Sequence, residues 1–502
     1  MTDQRPETQE PGADPRRWRA LAVTLAAGFM TLLDVSIVNV ALPSIQRGLG
    51  ASPQAAQWVV SGYALTFGLV LVTGGRLGDL LGRRRMFLIS LTAFIVTSAI
   101  AGAAPTAATL VVARLVQGLA AGMMTPQNTG LIQQLFTGEE RAKAFGVFGT
   151  TVGISTAAGP VIGGLILAAF GEHDGWRYVF YVNVPIGLVA LVLTMRLVPA
   201  GPPRTKSITS QLDVVGVLLL GAAVLCVLLP LVQSDNGGSP LLWLLVPVAA
   251  GLGAGFLRWE HRVTRHGRSP LLDTRLFSQV RGFSPGLALG TIYFCGFSGI
   301  WLVLSLFLQN GLGYSPLRSG LTVTPFALGS AATAVVAGRL VTRWGRRLTV
   351  TGLCLVVVGL GTAGALMTVV PAHALGYVLI APLLVAGIGG GAVVSPNTTL
   401  TLECVPTRMA GAAGGALQTG QRIGTAVGTA VLATAFRFTT NASHGDYPTA
   451  AGVAMACAVG FQLAALLLAV LELRAIRIAE KAATTADAQD RRDATASADV
   501  QR

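Results

Sequence analysis

The sequence predicts an all-α membrane protein of about fourteen transmembrane helices in two related halves, and three observations carry that expectation. Of its 502 residues 52% are hydrophobic and only 12% are charged, whereas a soluble domain carries roughly 25% charged residues. Apolar runs of about the ~20 residues that cover a bilayer recur along the whole chain. One ten-residue pattern, Gly-x-Leu-x-x-x-x-Gly-Arg-Arg, appears twice, as Gly75 to Arg84 and as Gly338 to Arg347. Each copy joins two hydrophobic helices by a short basic loop, and self-similarity at such a distance means duplicated halves. Thr342 stands in the second copy where Asp79 stands in the first, so the halves are alike but not equivalent.

Taken in order, residues 1–17 are polar and read as a disordered cytoplasmic N-terminus. Apolar runs follow at about 18–42, 55–80, 86–104, 106–130, 143–170, 176–198, 211–232, 240–259, 282–309, 317–341, 348–370, 374–400, 410–436 and 448–473. The break at 260–281 reads as a basic cytoplasmic linker with a surface helix at Leu271 to Val280. Residues 474–502 read as a charged, Ala-rich cytoplasmic tail, mobile beyond Lys481.

The net charge of +14 does not signal nucleic acid, because arginines gather in alternate loops: at Arg16, Arg17 and Arg19, at Arg83 to Arg85, at Arg258 to Arg268, and at Arg343 to Arg347. That asymmetry is the positive-inside signal and places both termini in the cytoplasm. The five cysteines are dispersed without paired spacing, which excludes a disulfide framework and a metal site. The first apolar run is too long for a cleavable signal peptide and has no small-residue cleavage site. Gly282-Phe283-Ser284-Pro285-Gly286 matches a nucleophile-elbow pattern, but it opens a membrane helix. Gly359 to Gly364 matches a dinucleotide fingerprint inside a span, with no strand before it. The only lysines are Lys143, Lys206 and Lys481, and none sits in a Walker A loop, so ATP is not the expected fuel. The five histidines lie apart, in or near loops, which speaks against an enzyme; no cofactor is expected.

The repeated loop resembles the signature of the major facilitator superfamily between its second and third helices. Leu33 to Pro43 looks like the first-helix signature of its fourteen-span drug:proton antiporters, and Arg114-Leu115-Val116-Gln117-Gly118 resembles the fourth-helix motif. Gly159-Pro160-Val161-Ile162-Gly163-Gly164 is similar to the fifth-helix antiporter motif, with Ser155 where a glycine is usual. Trp176-Arg177 through Asn183 to Gly187 also looks like this branch. The resemblance implies two six-helix bundles of inverted repeats, at 18–198 and 282–473, with two inserted central helices at 211–259. It also implies a proton role for Arg114 and export rather than uptake for the Gly159-Pro160 motif.

The chemistry is expected where charge lies inside a span. An aspartate near a helix centre costs about 2.5–3.5 kcal/mol in the membrane, so Asp34 has to face a bundle interior or water. Asp34 is eight residues from Leu42, and Arg114 eight residues from Thr106; at ~1.5 Å per residue both lie about 12 Å below the outer surface. They form either a static ion pair or a proton switch, and the switch is favoured. Asp79, Arg83 and Arg84, with Gly75 and Gly82, read as a cytoplasmic latch or, more simply, as topology anchors. Gly159, Pro160, Gly163 and Gly164 read as a close-packing or bending stretch of the fifth helix. Arg422, near a midplane and beside Gln418, needs a partner or a wet cavity. Asn39, Gln127, Asn128, Gln309 and Asn397 are weaker cavity candidates. Tyr63, Phe67, Tyr293, Phe294, Phe297 and Trp301 offer an aromatic wall for flat lipophilic ligands, including cations.

The expected function is a monomeric, proton-coupled antiporter of the cytoplasmic membrane, exporting small lipophilic drugs or antibiotics by alternating access. The expected partners are that substrate, protons and membrane lipid. The alternatives are a dedicated exporter of one endogenous metabolite or siderophore and, more remotely, a non-transporting membrane sensor.

Overall fold

The structure is a computed structural model and describes residues 16–171, 173–199, 213–234, 239–266, 270–314 and 316–500. Among the described residues there is no strand. The first bundle holds α1 (Arg16–Leu49), α2 (Pro53–Leu69), α3 (Leu71–Leu81), α4 (Arg83–Gly102), α5 (Ala107–Leu135), α6 (Gly138–Phe170), α7 (Gly175–Tyr181) and α8 (Asn183–Leu197). Two central helices follow, α9 (Val214–Ser234) and α10 (Leu245–Arg265), then one short turn, α11 (Arg275–Ser278). The second bundle holds α12 (Phe283–Leu306), α13 (Pro316–Trp344), α14 (Arg346–Val369), α15 (Ala372–Val378), α16 (Ile380–Leu402), α17 (Ala410–Ala442) and α18 (Tyr447–Val500).

Among the described residues eleven helices are long and apolar enough to cross a membrane, or twelve where α2 and α3, bent by 49° at Val70, count as one span. The remaining two of the fourteen expected rods are α6 and α17, 33 residues each. At ~1.5 Å per residue such helices are about 50 Å long. Both are interface helices rich in glycine, where small residues let backbones approach.

The packing repeats. In the first bundle α2 lies on α5, α1 on α6 and on α8, and α4 on α5 and on α8. In the second, α13 lies on α16, α12 on α17 and on α18, and α14 on α16 and on α18, the same neighbour scheme one repeat later. The bundles meet through swapped equivalents, α3 against α17 and α13 against α6. Both seams rest on the repeated glycine. A Cβ on Gly75 would come within 2.1 Å of the Gly411 carbonyl, and one on Gly338 within 2.8 Å of the Ala142 carbonyl.

Two stretches differ from the sequence expectation. The linker lays down no surface helix over Leu271 to Val280; only α11 forms, and Leu271, Leu272 and Leu276 are buried with Phe136, Phe145, Phe256 and Phe283. Those leucines gain more from an apolar seal under the bundles than from a lipid surface. The tail continues as helix to Val500, because its alanines and interspersed charges carry high helix propensity. Residues 1–15 lie outside the described residues, as does Arg268.

Candidate functional site

Charge inside the first bundle is concentrated at one point. The Arg114 Nη1 donates to Asp34 Oδ2 at 2.5 Å and to Gln117 Oε1 at 2.8 Å, while Nε donates to the Val59 carbonyl at 2.9 Å. The Asn183 amide donates to Asp34 Oδ1 at 2.9 Å, and the Gln117 amide reaches the same oxygen at 3.4 Å and Ser98 Oγ at 2.6 Å. The Arg114 guanidinium carbon also lies 4.1 Å from the Tyr63 ring centroid and 5.6 Å from that of Phe180. Asp34 and Arg114 are each 1% exposed, so this network is sealed inside the bundle. The helix spacing explains how it assembles: Gln117 lies one turn after Arg114 on α5, and Asn183 sits where α7 hands over to α8. The Asp34 carboxylate thus accepts from three side chains, Arg114, Gln117 and Asn183.

A second site closes the arginine-rich end of the molecule. Asp79 at the end of α3 accepts from the Gly411 and Ala412 backbone N–H groups, each at 3.1 Å. These belong to the first turn of α17, whose N–H groups have no partner within the helix, and the helix dipole favours an anion there. The carboxylate therefore caps a helix of the opposite bundle. Arg83 holds it at 3.3 Å, donates to the Thr407 carbonyl at 2.5 Å and reaches the Gly130 carbonyl. Gly82 makes the loop possible, with φ of 94°. Arg84 turns aside and donates to the Met195 carbonyl. Other bonds between the bundles gather at the same end, from Gln133 to the Leu402 carbonyl at 3.5 Å and from Thr150 to the Ala331 carbonyl at 3.2 Å.

The second copy of the loop points the other way. Arg346, the counterpart of Arg83, pairs with Glu472 at 2.7 Å and donates to Asn397 Oδ1 at 2.7 Å, both within its own bundle. Thr342 is exposed and bonds only the nearby Arg339 carbonyl at 3.5 Å. The first copy of the loop thus caps the opposite bundle at Asp79, and the second braces its own bundle at Glu472. The brace escaped sequence reading because Glu472 lies at the charged end of the last span, where a carboxylate looks solvated.

The remaining candidates scatter. Gly159 brings α6 onto α1, since its Cβ would come within 2.2 Å of that of Ser36. Gly163 also packs on α1, while Gly164 has open space beside it; the Pro160 ring lies outside the described side chains. Asn39 is exposed and bonds the Val35 carbonyl of its own helix. Gln127, Asn397 and Gln309 are tied by hydrogen bonds to neighbouring groups. Tyr293 is sealed in the core of the second bundle, stacked on Phe297, and Trp301 is half-buried against Phe326. Gln418 is buried and Arg422 half-buried on α17, with the Arg422 guanidinium carbon 4.5 Å from the Phe67 ring centroid.

Two pseudo-equivalent helical bundles, swapped seams at one end and buried charge within the membrane define a polytopic carrier built for rocking. The family model described as Major Facilitator Superfamily matches residues 24–429 and again 286–491, and the chain belongs to that family. It is 38% identical over 428 residues to the probable actinorhodin transporter of Streptomyces coelicolor, covering 84% of this chain and 72% of that protein. It is 35% identical to the tetracenomycin C resistance and export protein of Streptomyces glaucescens, covering 85% and 77% respectively. A crystal structure of the human organic anion transporter MFSD10 shares the fold, with a TM-score of 0.64 at 17% identity, over 91% of this chain and all of that one. The protein is a multi-pass membrane transporter.

Proposed function

We propose that this chain exports small lipophilic compounds of the antibiotic and drug class across the cytoplasmic membrane, in exchange for protons and by alternating access. The carrying observation is a carboxylate and a guanidinium paired at 2.5 Å inside the first bundle. Relatives named for antibiotic transport and for resistance and export support the choice of substrate. An ion pair at this depth is expensive to retain for packing alone. It gains a purpose if the carboxylate loads a proton in one state and Arg114 reclaims it in the other. The arginine-rich end faces the cytoplasm, as do both termini, by the loop charge asymmetry.

In this reading the structure is the state closed to the cytoplasm, with Asp79 and Arg83 holding α17. The bundles are 18–198 and 282–473, 211–259 is an inserted pair, and the protein works as a monomer without cofactor or enzymatic step. Asp34 takes a proton from the outer side once Arg114 moves away, substrate leaves, and return to the inward state releases the proton. About 100 mV supplies ~2.3 kcal/mol per proton, and one pH unit adds about 1.4 kcal/mol. Together they sustain a gradient of roughly 500-fold for a neutral substrate at one proton per cycle.

The test is dye export in inverted vesicles energised with a proton gradient, comparing wild type with Asp34→Asn. Gradient-driven transport lost in the variant, with binding retained, is the expected result. Full transport in Asp34→Asn removes the proton role from that residue. No dye moved by folded wild type turns the reading toward one endogenous substrate or a sensor.

A further inference from the structure

One cation in the membrane interior has no counter-charge. Arg422 lies twelve residues into α17 and touches the Phe67 ring of the opposite bundle. Among the described residues no carboxylate pairs with it. The buried acids of the spans are engaged elsewhere, Asp34 by Arg114, Asp79 by Arg83 and the α17 N-terminus, and Glu260 by the Leu271 N–H at 3.2 Å, while Glu472 pairs with Arg346. A ring neighbour supplies no oxygen, so the guanidinium fork is left for a ligand.

The shape of α17 places that fork at the top of the closed seam. On the face toward the first bundle, a Cβ on Gly411 would come within 2.4 Å of the Gly75 carbonyl, and one on Gly415 within 2.4 Å of the Leu71 carbonyl. Backbone touches backbone for those two turns. One turn further along this face the small residues give way to Gln418, Thr419 and Arg422, and a Cβ on Gly68 of α2 would lie 3.9 Å from the Arg422 Cβ. They stand at i, i+1 and i+4, so Arg422 neighbours both of the others on the helix surface. Gln418 is 9% exposed and Thr419 7%, yet the Gln418 Nε2 and Thr419 Oγ1 are buried without a hydrogen-bond partner. Buried donors left unmade are costly and mark a place where something else binds. Three groups able to donate, one of them charged, therefore lie within about one turn of each other on α17, with an aromatic face of the opposite bundle alongside.

We infer that Gln418, Thr419 and Arg422 form an anion subsite, and that the preferred substrates are aromatic weak acids in their ionised form, with the carboxylate or phenolate on Arg422 and the ring against Phe67. This rests on the exporter reading and narrows it. It also reverses the expectation of cationic ligands: among the described residues no carboxylate pairs with Arg422, so a cation placed here meets its positive charge. Export of an anion moves charge, so an inside-negative membrane potential drives it outward in addition to any proton gradient.

The experiment uses the full chain in lipid nanodiscs and displacement of bound fluorescein, read by anisotropy, with the isosteric pair 2-naphthoate and 2-naphthamide on wild type. Naphthoate should displace at least 10-fold better than naphthamide. Arg422→Gln should weaken fluorescein binding at least 10-fold while ethidium binding stays level or improves, and Arg422→Lys should fall between. Equal displacement by acid and amide in wild type overturns the subsite and needs no variant to fold. Ethidium bound as tightly as fluorescein by wild type overturns it too. Proteoliposome flux separates the two readings: acid preference without gradient-driven export fails the exporter, and export without acid preference fails the subsite alone.

Discussion

Asp79→Ala is the perturbation that the geometry specifies most fully. The substitution removes the acceptor of two backbone N–H groups, from Gly411 and Ala412 at 3.1 Å each, and the negative charge at the start of α17. A hydrogen bond to a charged group contributes about 1.5–3 kcal/mol, and an anion at a helix N-terminus adds about 0.3–1 kcal/mol. When the seam opens, water replaces these partners, so only part of the sum favours the closed form. A differential of about 3 kcal/mol shifts the ratio of closed to open molecules by roughly 100-fold. The assay is pulsed dipolar EPR with spin labels at Glu139 and Arg343, exposed positions on opposite bundles at the arginine-rich end. Wild type should show a dominant short distance, and Asp79→Ala a new, longer population. Asp79→Asn, which keeps one oxygen and loses the charge, should lie between. Distance distributions that superimpose for wild type and Asp79→Ala would refute the cap as the closing element.

Three further outcomes follow from the same contacts. Gly75→Ala puts a Cβ about where the Gly411 carbonyl sits, 2.1 Å away, so it should shift the same EPR distances toward the open form and slow transport. Asn183→Ala removes one donor from Asp34 and should cost about 1–3 kcal/mol in thermal melting of the purified protein. Arg346→Gln leaves Glu472 buried and unpaired, a loss of about 3–5 kcal/mol, and the double variant with Glu472→Gln should recover a measurable part of it.

The main elements of this molecule were legible from hydropathy and from the duplicated loop, because both are local in sequence. The depth match of Asp34 and Arg114 came from counting residues along two helices, and the 2.5 Å pair agrees with it. Their companions were not legible. Gln117 and Asn183 stand inside stretches that sequence reading singled out, but which way each side chain turns depends on helix rotation, which hydropathy does not encode. The partner of Asp79 was harder still. Guanidinium groups across the loop looked like its natural contacts, yet its acceptor oxygens bind main-chain N–H groups 332 and 333 residues away. Backbone donors carry no residue signature. The aromatic residues show the converse: Tyr293 reads as a binding surface by type and is core by position.

The buried carboxylates of Asp34 and Asp79 differ in what happens when their bonds break. The cap at Asp79 lies at the rim, and parting the seam admits water to both the carboxylate and the α17 N–H groups. Each broken bond is replaced, leaving a net difference of about 1.5–3 kcal/mol for a hydrogen bond to a charged group. Such a joint parts and re-forms many times without a deep trap on either side. Asp34, 1% exposed, has no solvent to take over from Arg114, so separating that pair is steep unless a proton arrives. Of the two joints, one opens to water at the rim and the other is sealed inside the bundle, and in the proposed cycle the sealed one sets when the turn is permitted.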